Sequence, residues 1–229
     1  MKKIAILGSG TVGQTFATRL NALGYEVMIG TRNLQEKLAA PGKDGAKNGF
    51  AQWHEKNGTI KAGTFEEAAA FGEMILNVSQ GANSIAVLNL AKAKNLEGKI
   101  LVDISNPLDF SKGMPPGLVP ELSNFNSLGE EIQKTFSNAK VVKTLNTMWC
   151  GIMVDPSIIK GDHINYICGN DEAAKTTVKE FLNTLGWKDQ NILDLGDLSS
   201  ARGTEAVLPV WLRIYGAKKM GAFNFNIVS

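Results

Sequence analysis

Histidine and cysteine are scarce in this chain. His54 and His163 lie far apart, and Cys150 and Cys168 have no second pair beside them. A multi-histidine metal site therefore cannot be assembled, and neither a zinc-ligand spacing nor a disulfide framework can be read. No metal is expected, and the two thiols read as reduced packing residues. An excess of one charge is missing too: 24 Lys plus Arg against 22 Asp plus Glu leave +2 over 229 residues, too little to suggest nucleic acid as a partner. No run reaches about 18 uninterrupted apolar residues, so no membrane span is expected. Lys2 and Lys3 have the charge of a signal peptide, but the apolar run Ile4 to Leu7 is cut by Gly8, and a cytoplasmic location is expected. Linkers, repeats and low-complexity segments are absent. What remains, 44% apolar and 20% charged residues spread evenly, describes a globular protein.

The first thirty residues carry the organisation. Ile4 to Leu7 is a short apolar run of the kind buried parallel strands have, Val12, Phe16, Leu20 and Leu23 recur at helical spacing until Gly24, and Glu26 to Ile29 reads as a strand again. Strand, helix, strand forces a right-handed parallel crossover. A helix over 44–57, a capping box at Thr64-Phe65-Glu66-Glu67, a strand over 74–78, a helix over 84–93 and a strand over 100–104 continue the alternation. Residues 105–126, with Pro107, Pro115, Pro116 and Pro120, form a long irregular stretch. A second capping-box spacing at Ser127 to Glu130 and a strand over 140–145 follow. The pattern then changes, with a strand over 165–168, a helix over 173–185 and a strand near Ile192-Leu193. The final helix, 200–215, is apolar almost all round, which demands cover on every side, and holds Pro209 at a predicted kink. The expectation is an α/β Rossmann-type doubly wound parallel sheet over 1–145 with a small C-terminal α+β domain over 146–229.

Gly8-Ser9-Gly10-Thr11-Val12-Gly13 is a G-x-G-x-x-G run at a strand end that opens a helix. The first glycine permits the turn, the second admits a pyrophosphate, the third brings helix against strand, and the helix N-terminus offers N–H groups to phosphate. After the second strand, where an NAD enzyme holds a carboxylate against the ribose 2'-hydroxyl, stand Gly30, Thr31, Arg32 and Asn33. A guanidinium between a hydroxyl and an amide suits a 2'-phosphate, so NADP is the expected cofactor. Ser79-Gln80-Gly81 and Ser105-Asn106-Pro107 follow two further strand candidates at the edge where open parallel sheets bind ligands, and Ser79, Gln80 and Asn106 are candidate nicotinamide-side residues. Turn chemistry accounts for these loops equally well. Asn146 and Thr147 stand at the expected domain boundary, where a second substrate meets the nicotinamide. No nucleophile–base pair and no paired carboxylates appear, so no catalytic residue is assigned. Hydride transfer between two redox cofactors needs aligned rings and excluded water more than a proton donor.

Four segments together, Gly8 to Gly13, Gly30-Thr31-Arg32, Val141 to Thr147 and Cys168-Gly169-Asn170-Asp171, resemble the NADPH-dependent deazaflavin (coenzyme F-420) reductases. Asp194 to Arg202 with Glu205 and the apolar helix is similar to that family's C-terminal end. Only 34–60 and 105–126 fall outside the resemblance. It implies a Rossmann domain, a small C-terminal domain, a deazaflavin in the cleft between them and a homodimer. Asn146 stands where those reductases have a histidine and Ser79 where they have a proline. Asn146 and the 198–205 stretch also resemble the cytosolic reductase domain of six-transmembrane ferric reductases, which implies FMN or FAD as acceptor. The 105–126 loop is placed to close over that acceptor.

Three functions fit the residues: an oxidoreductase moving a hydride between NADP(H) and a deazaflavin or flavin, a non-catalytic NADP-binding sensor or interaction protein, and a small carbonyl or imine reductase with a water or a tyrosine such as Tyr215 as proton donor.

Overall fold

The computed structural model describes residues 1–40 and 49–228. It begins with β1 (Lys3–Leu7), α1 (Thr11–Ala22), β2 (Glu26–Thr31), α2 (Leu34–Ala39) and α3 (Gly49–Lys56). The expected 44–57 helix is present as α3; its residues 44–48 lie outside the described residues. β3 (Lys61–Thr64), α4 (Phe65–Phe71), β4 (Met74–Asn77), α5 (Ser84–Ala91), α6 (Ala93–Leu96) and β5 (Ile100–Asp103) follow. The second half holds β6 (Leu108–Asp109), β7 (Gly117–Leu118), α7 (Leu128–Thr135), β8 (Lys140–Thr144), α8 (Cys150–Val154), β9 (Asn165–Gly169), α9 (Glu172–Leu185), β10 (Ile192–Asp194) and α10 (Ala201–Lys218).

Eight strands make one sheet in the order β10-β9-β8-β5-β4-β1-β2-β3, parallel except where β9 meets β8 antiparallel. This is the Rossmann-like arrangement that the alternation predicts. β1 shows why its strands read as unbroken apolar runs: Ile4 and Ile6 enter the core on one face with Phe16 and Leu20 of α1, while Ala5 and Leu7 enter the core on the other with Ala68, Leu88 and Leu101. Side chains alternate across a strand, so a strand covered on both faces must be apolar at every position. The capping box at Thr64 forms with both of its bonds, and Ser127 caps α7 by accepting from the Glu130 N–H.

The strands after 145 join the same sheet: β8 pairs with β9 over Val142–Thr144, and β10 extends it. The 105–126 stretch is not wholly irregular, since β6 and β7 pair as a small antiparallel hairpin with Leu108 opposite Leu118. α10 is one helix that includes Pro209, and Val210 and Tyr215 on it are exposed in the single chain, where a second subunit is one source of the expected cover. β3 escapes the sequence reading because Lys-Ala-Gly-Thr carries almost no apolar signal.

Candidate functional site

The carboxyl ends of β1, β4, β5 and β8 open onto one cleft of about 470 Å³. Thr11 and Val12 reach it from the start of α1, Ser79, Gln80 and Gly81 from the loop after β4, Ser105 and Asn106 from the loop after β5, and Asn146 from the end of β8. This is the edge at which a doubly wound sheet binds ligands, where its strand order reverses. The remaining wall is mostly apolar: Leu108, Phe110, Met148, Trp149, Met153, Leu208 and Trp211.

The glycine loop brings β1 and α1 together and leaves the start of α1 open. A Cβ on Gly13 would overlap the Gly8 carbonyl oxygen, so helix and strand can approach as they do only with glycine there. A Cβ on Gly10 would meet nothing within 4 Å, which leaves open space in front of the turn. α1 has no side-chain cap at Gly10 and no acidic residue in its first turn. Its first N–H groups thus face outward with the positive end of the helix dipole, the donor set a pyrophosphate requires. NADP, the cofactor that the glycine run and Arg32 predict, fits these residues.

At the end of β2, Thr31 is buried, Arg32 is exposed, and Asn33 accepts from the Glu36 N–H to cap α2. Arg32 makes no hydrogen bond or ion pair among the described residues, so its guanidinium is available to a ligand. Gly81 is explained by packing: a Cβ there would overlap the Asn106 carbonyl oxygen, so the loops after β4 and β5 touch backbone to backbone. Asn106 and Asn146 clasp each other. Asn106 Nδ2 donates to the Asn146 carbonyl at 2.8 Å, and Asn146 Nδ2 donates to Asn106 Oδ1 at 2.9 Å. Leu145, just before, holds a left-handed φ of 61° while its N–H donates to Asn165 Oδ1 at 3.1 Å. Local strain of this kind persists where surrounding contacts fix it.

Thr147 is buried but does not line the cleft. Tyr215 does not line it either; its ring stacks on Trp211. Neither histidine is there: His54 stacks on Phe50, and His163 contacts the Pro156 carbonyl and Asn224 through its two ring nitrogens. Both cysteines are free and buried, and burial pushes the Cys168 thiol up to about 12.

Beneath the cleft lies a charged network that the sequence reading did not find. Lys143 Nζ, fully buried, meets Asp103 Oδ2 and Glu205 Oε1 at 2.7 Å each and donates to the Ser105 carbonyl at 2.7 Å. Ser105 Oγ and Asn77 Nδ2 donate to Asp103 Oδ1 at 2.6 and 2.8 Å. Glu205 also accepts from the N–H groups of Leu128 and Gly129, at 2.9 and 3.1 Å, and so caps α7 from α10. Burial opposes the charge on Lys143, but Asp103 and Glu205 outweigh it and hold the ammonium above the ordinary lysine value. Burial likewise pushes the Glu205 carboxyl up, against the pull of Lys143. The signal was present as charges lodged in apolar strands, Ile-Leu-Val-Asp in β5 and Val-Val-Lys in β8. Buried charges are kept only when paired.

Known proteins resemble this chain in sequence and in fold. The family described as NADP oxidoreductase, coenzyme F-420-dependent, matches residues 3–107. A crystal structure of a candidate F-420-dependent NADP reductase from Arthrobacter sp. FB24 is 50% identical, covers 100% of both chains and superposes with a TM-score of 0.92. Segments 34–60 and 105–126, which the sequence resemblance left out, are thus inside that likeness. Metalloreductase STEAP3 of Rattus norvegicus is 31% identical over 215 residues, 91% of this chain and 38% of that protein. The chain therefore spans about two fifths of that curated relative. An imine reductase from Bacillus cereus shares the fold, with a TM-score of 0.60 at 20% identity over 96% of this chain and 62% of that one.

Proposed function

The chain belongs to the coenzyme F-420-dependent NADP oxidoreductase family and is an NADP-dependent oxidoreductase, and from that premise we propose that it moves a hydride between NADP(H) and the ring of a deazaflavin (coenzyme F-420) or a flavin, FMN or FAD, seated in the cleft. The observation that carries this reading is the cleft itself, apolar on one side, edged by the α1 N-terminus and without a histidine or tyrosine in its lining. Bound NADPH would supply two electrons and a proton together, as hydride. The protein's part is binding, orientation and dryness. Gly8, Ser9, Gly10, Thr11, Val12 and Gly13 would hold the pyrophosphate, and Thr31, Arg32 and Asn33 the 2'-phosphate end. Ser79, Gln80, Asn106, Asn146 and Thr147 belong to the nicotinamide end, of which Ser79, Gln80, Asn106 and Asn146 line the cleft. Phe110, Met148, Trp149 and Trp211 would exclude water around the reacting rings, which need proximity and alignment more than acid–base help.

Arg32 gives the cofactor test. Arg32→Ala is expected to raise the KM for NADPH by about 10-fold or more, as loss of a charge-assisted phosphate contact does, and to leave the KM for NADH nearly unchanged. Equal losses for both would remove Arg32 from the 2'-phosphate. For the acceptor, NADPH oxidation is followed in parallel with coenzyme F-420, FMN and FAD. Turnover with none of them, alongside tight NADPH binding, would favour the sensor reading.

A second copy of the chain belongs to the same proposal. Val210 and Tyr215, 52% and 47% exposed on a helix of predominantly apolar sequence, give α10 an outer face suited to a homodimer contact.

A further inference from the structure

Two buried polar atoms of the cleft residues have no partner. Asn146 Oδ1 accepts nothing and Trp211 Nε1 donates to nothing, although their residues are only 1% and 7% exposed. Both residues line the cleft, Asn146 from the end of β8 and Trp211 from α10. A buried indole N–H normally finds an acceptor, and leaving such a group unpaired is costly. Unpaired buried groups in a binding cleft therefore mark what the ligand must bring.

Neither atom is free to turn away. Because Asn106 Nδ2 donates to the Asn146 carbonyl, its Oδ1 must face Asn146 Nδ2. That clasp fixes the Asn146 amide with its oxygen unpaired, and a flipped amide would set two oxygens against each other. The Trp211 ring is stacked with Tyr215 at 5.5 Å and 8° and with Phe223 at 5.1 Å and 10°. The indole plane is thus held by two other rings while its N–H waits for an acceptor. One fixed acceptor, one fixed donor and an apolar surround of Phe110, Met148 and Trp149 describe a flat, largely apolar heterocycle that carries both an N–H and a carbonyl.

We propose that Asn146 and Trp211 select the hydride acceptor, Asn146 Oδ1 accepting from a ring N–H and Trp211 Nε1 donating to a ring carbonyl, so that the cleft is matched to a pyrimidinedione edge. The inference rests on the proposed function and adds to it which atoms read the ring. A simple ketone offers no N–H and would leave Asn146 unpaired, which penalises it without any clash.

The test is a binding titration. Lumiflavin, and its analogue in which the pyrimidinedione N–H is methylated, are titrated by flavin fluorescence into NADP⁺-saturated wild type, Asn146→Ala and Trp211→Phe. The wild type is expected to bind lumiflavin about 3- to 10-fold more tightly than the methylated ring, the range one hydrogen bond supplies. Asn146→Ala should lose that preference. Trp211→Phe, which keeps an aromatic ring in the stack, should weaken both rings by a similar factor while NADP⁺ affinity stays within twofold. Methylation without effect in the wild type, or lumiflavin binding as tightly to Trp211→Phe as to the wild type, would overturn the assignment. The same variants separate the two proposals in turnover. Flavin reduction with an unchanged acceptor KM in both variants would overturn this inference and leave the hydride reaction standing. A wild type that neither binds nor reduces either ring, and that does not oxidise NADPH with coenzyme F-420, would overturn both.

Discussion

Lys143 shows how far single residues carry this molecule. Its ammonium sits between Asp103 and Glu205 with no solvent contact, and its third bond, to the Ser105 carbonyl, holds the loop that carries Asn106 into the cleft. Desolvating three charges is costly, and their mutual attraction returns that cost only while all three remain. Lys143→Met is therefore expected to destabilise the protein by about 3–5 kcal/mol, the range for breaking a buried pair, read from the urea midpoint at constant m-value. A loss below about 1 kcal/mol would mean that the two carboxyls are satisfied by their remaining partners, Ser105, Asn77 and the α7 N-terminus.

At the level of elements, α10 is tied to α7 twice. Glu205 caps α7 from inside, and Arg202 grips Glu130 near the surface, with Nε and Nη2 donating to the two carboxylate oxygens at 2.9 and 2.6 Å. The Arg202 bonds hold the Glu130 carboxyl below its ordinary value of 4.5. A carboxyl whose pKa falls on folding contributes stability above the ordinary value, and that contribution is lost as the pH drops through the lowered one. Arg202→Met should thus be less stable than the wild type at pH 7, and the gap should narrow in unfolding titrations carried below the ordinary carboxyl value of 4.5. A gap of constant size across that range would show that Arg202 acts through its alkyl stem alone. α10 brings Leu208 and Trp211 to the cleft from a position far along the chain.

For the whole molecule, a single continuous sheet places the strand-end loops that line one side of the cleft. Because β9 and β10 extend it past β8, the C-terminal segment is fastened to the Rossmann strands by backbone hydrogen bonds, while the cleft is walled on one side by α10. No helix among the described residues is long and apolar enough to cross a membrane. The open face of α10 leads to the prediction at this scale: light scattering should give twice the 24.6 kDa chain mass, and Val210→Lys should lower it toward one chain, since a charge in an apolar contact goes unpaired. A wild type at 24.6 kDa across the micromolar range would remove the dimer.

Local signals determined much of this protein. Apolar runs at strand spacing, helical periodicity and the two capping spacings marked most elements, and the glycine run opened α1 where a dinucleotide turn belongs, because those signals depend on neighbours in sequence. The loops at Ser79, Asn106 and Asn146, which line the cleft, were legible for the same reason: each follows on a strand, and the carboxyl ends of parallel strands share one edge. Tertiary structure alone decided the rest. Pairing of Lys143 with Asp103 and Glu205, the Asn106–Asn146 clasp, the β6–β7 hairpin and the approach of Trp211 to the cleft join residues distant in the chain, and no periodicity encodes which distant partner a buried charge or an unpaired amide will meet. The joining of β9 to β8 in one sheet is decided in the same way, by which strand edge remains open once the first strands have paired.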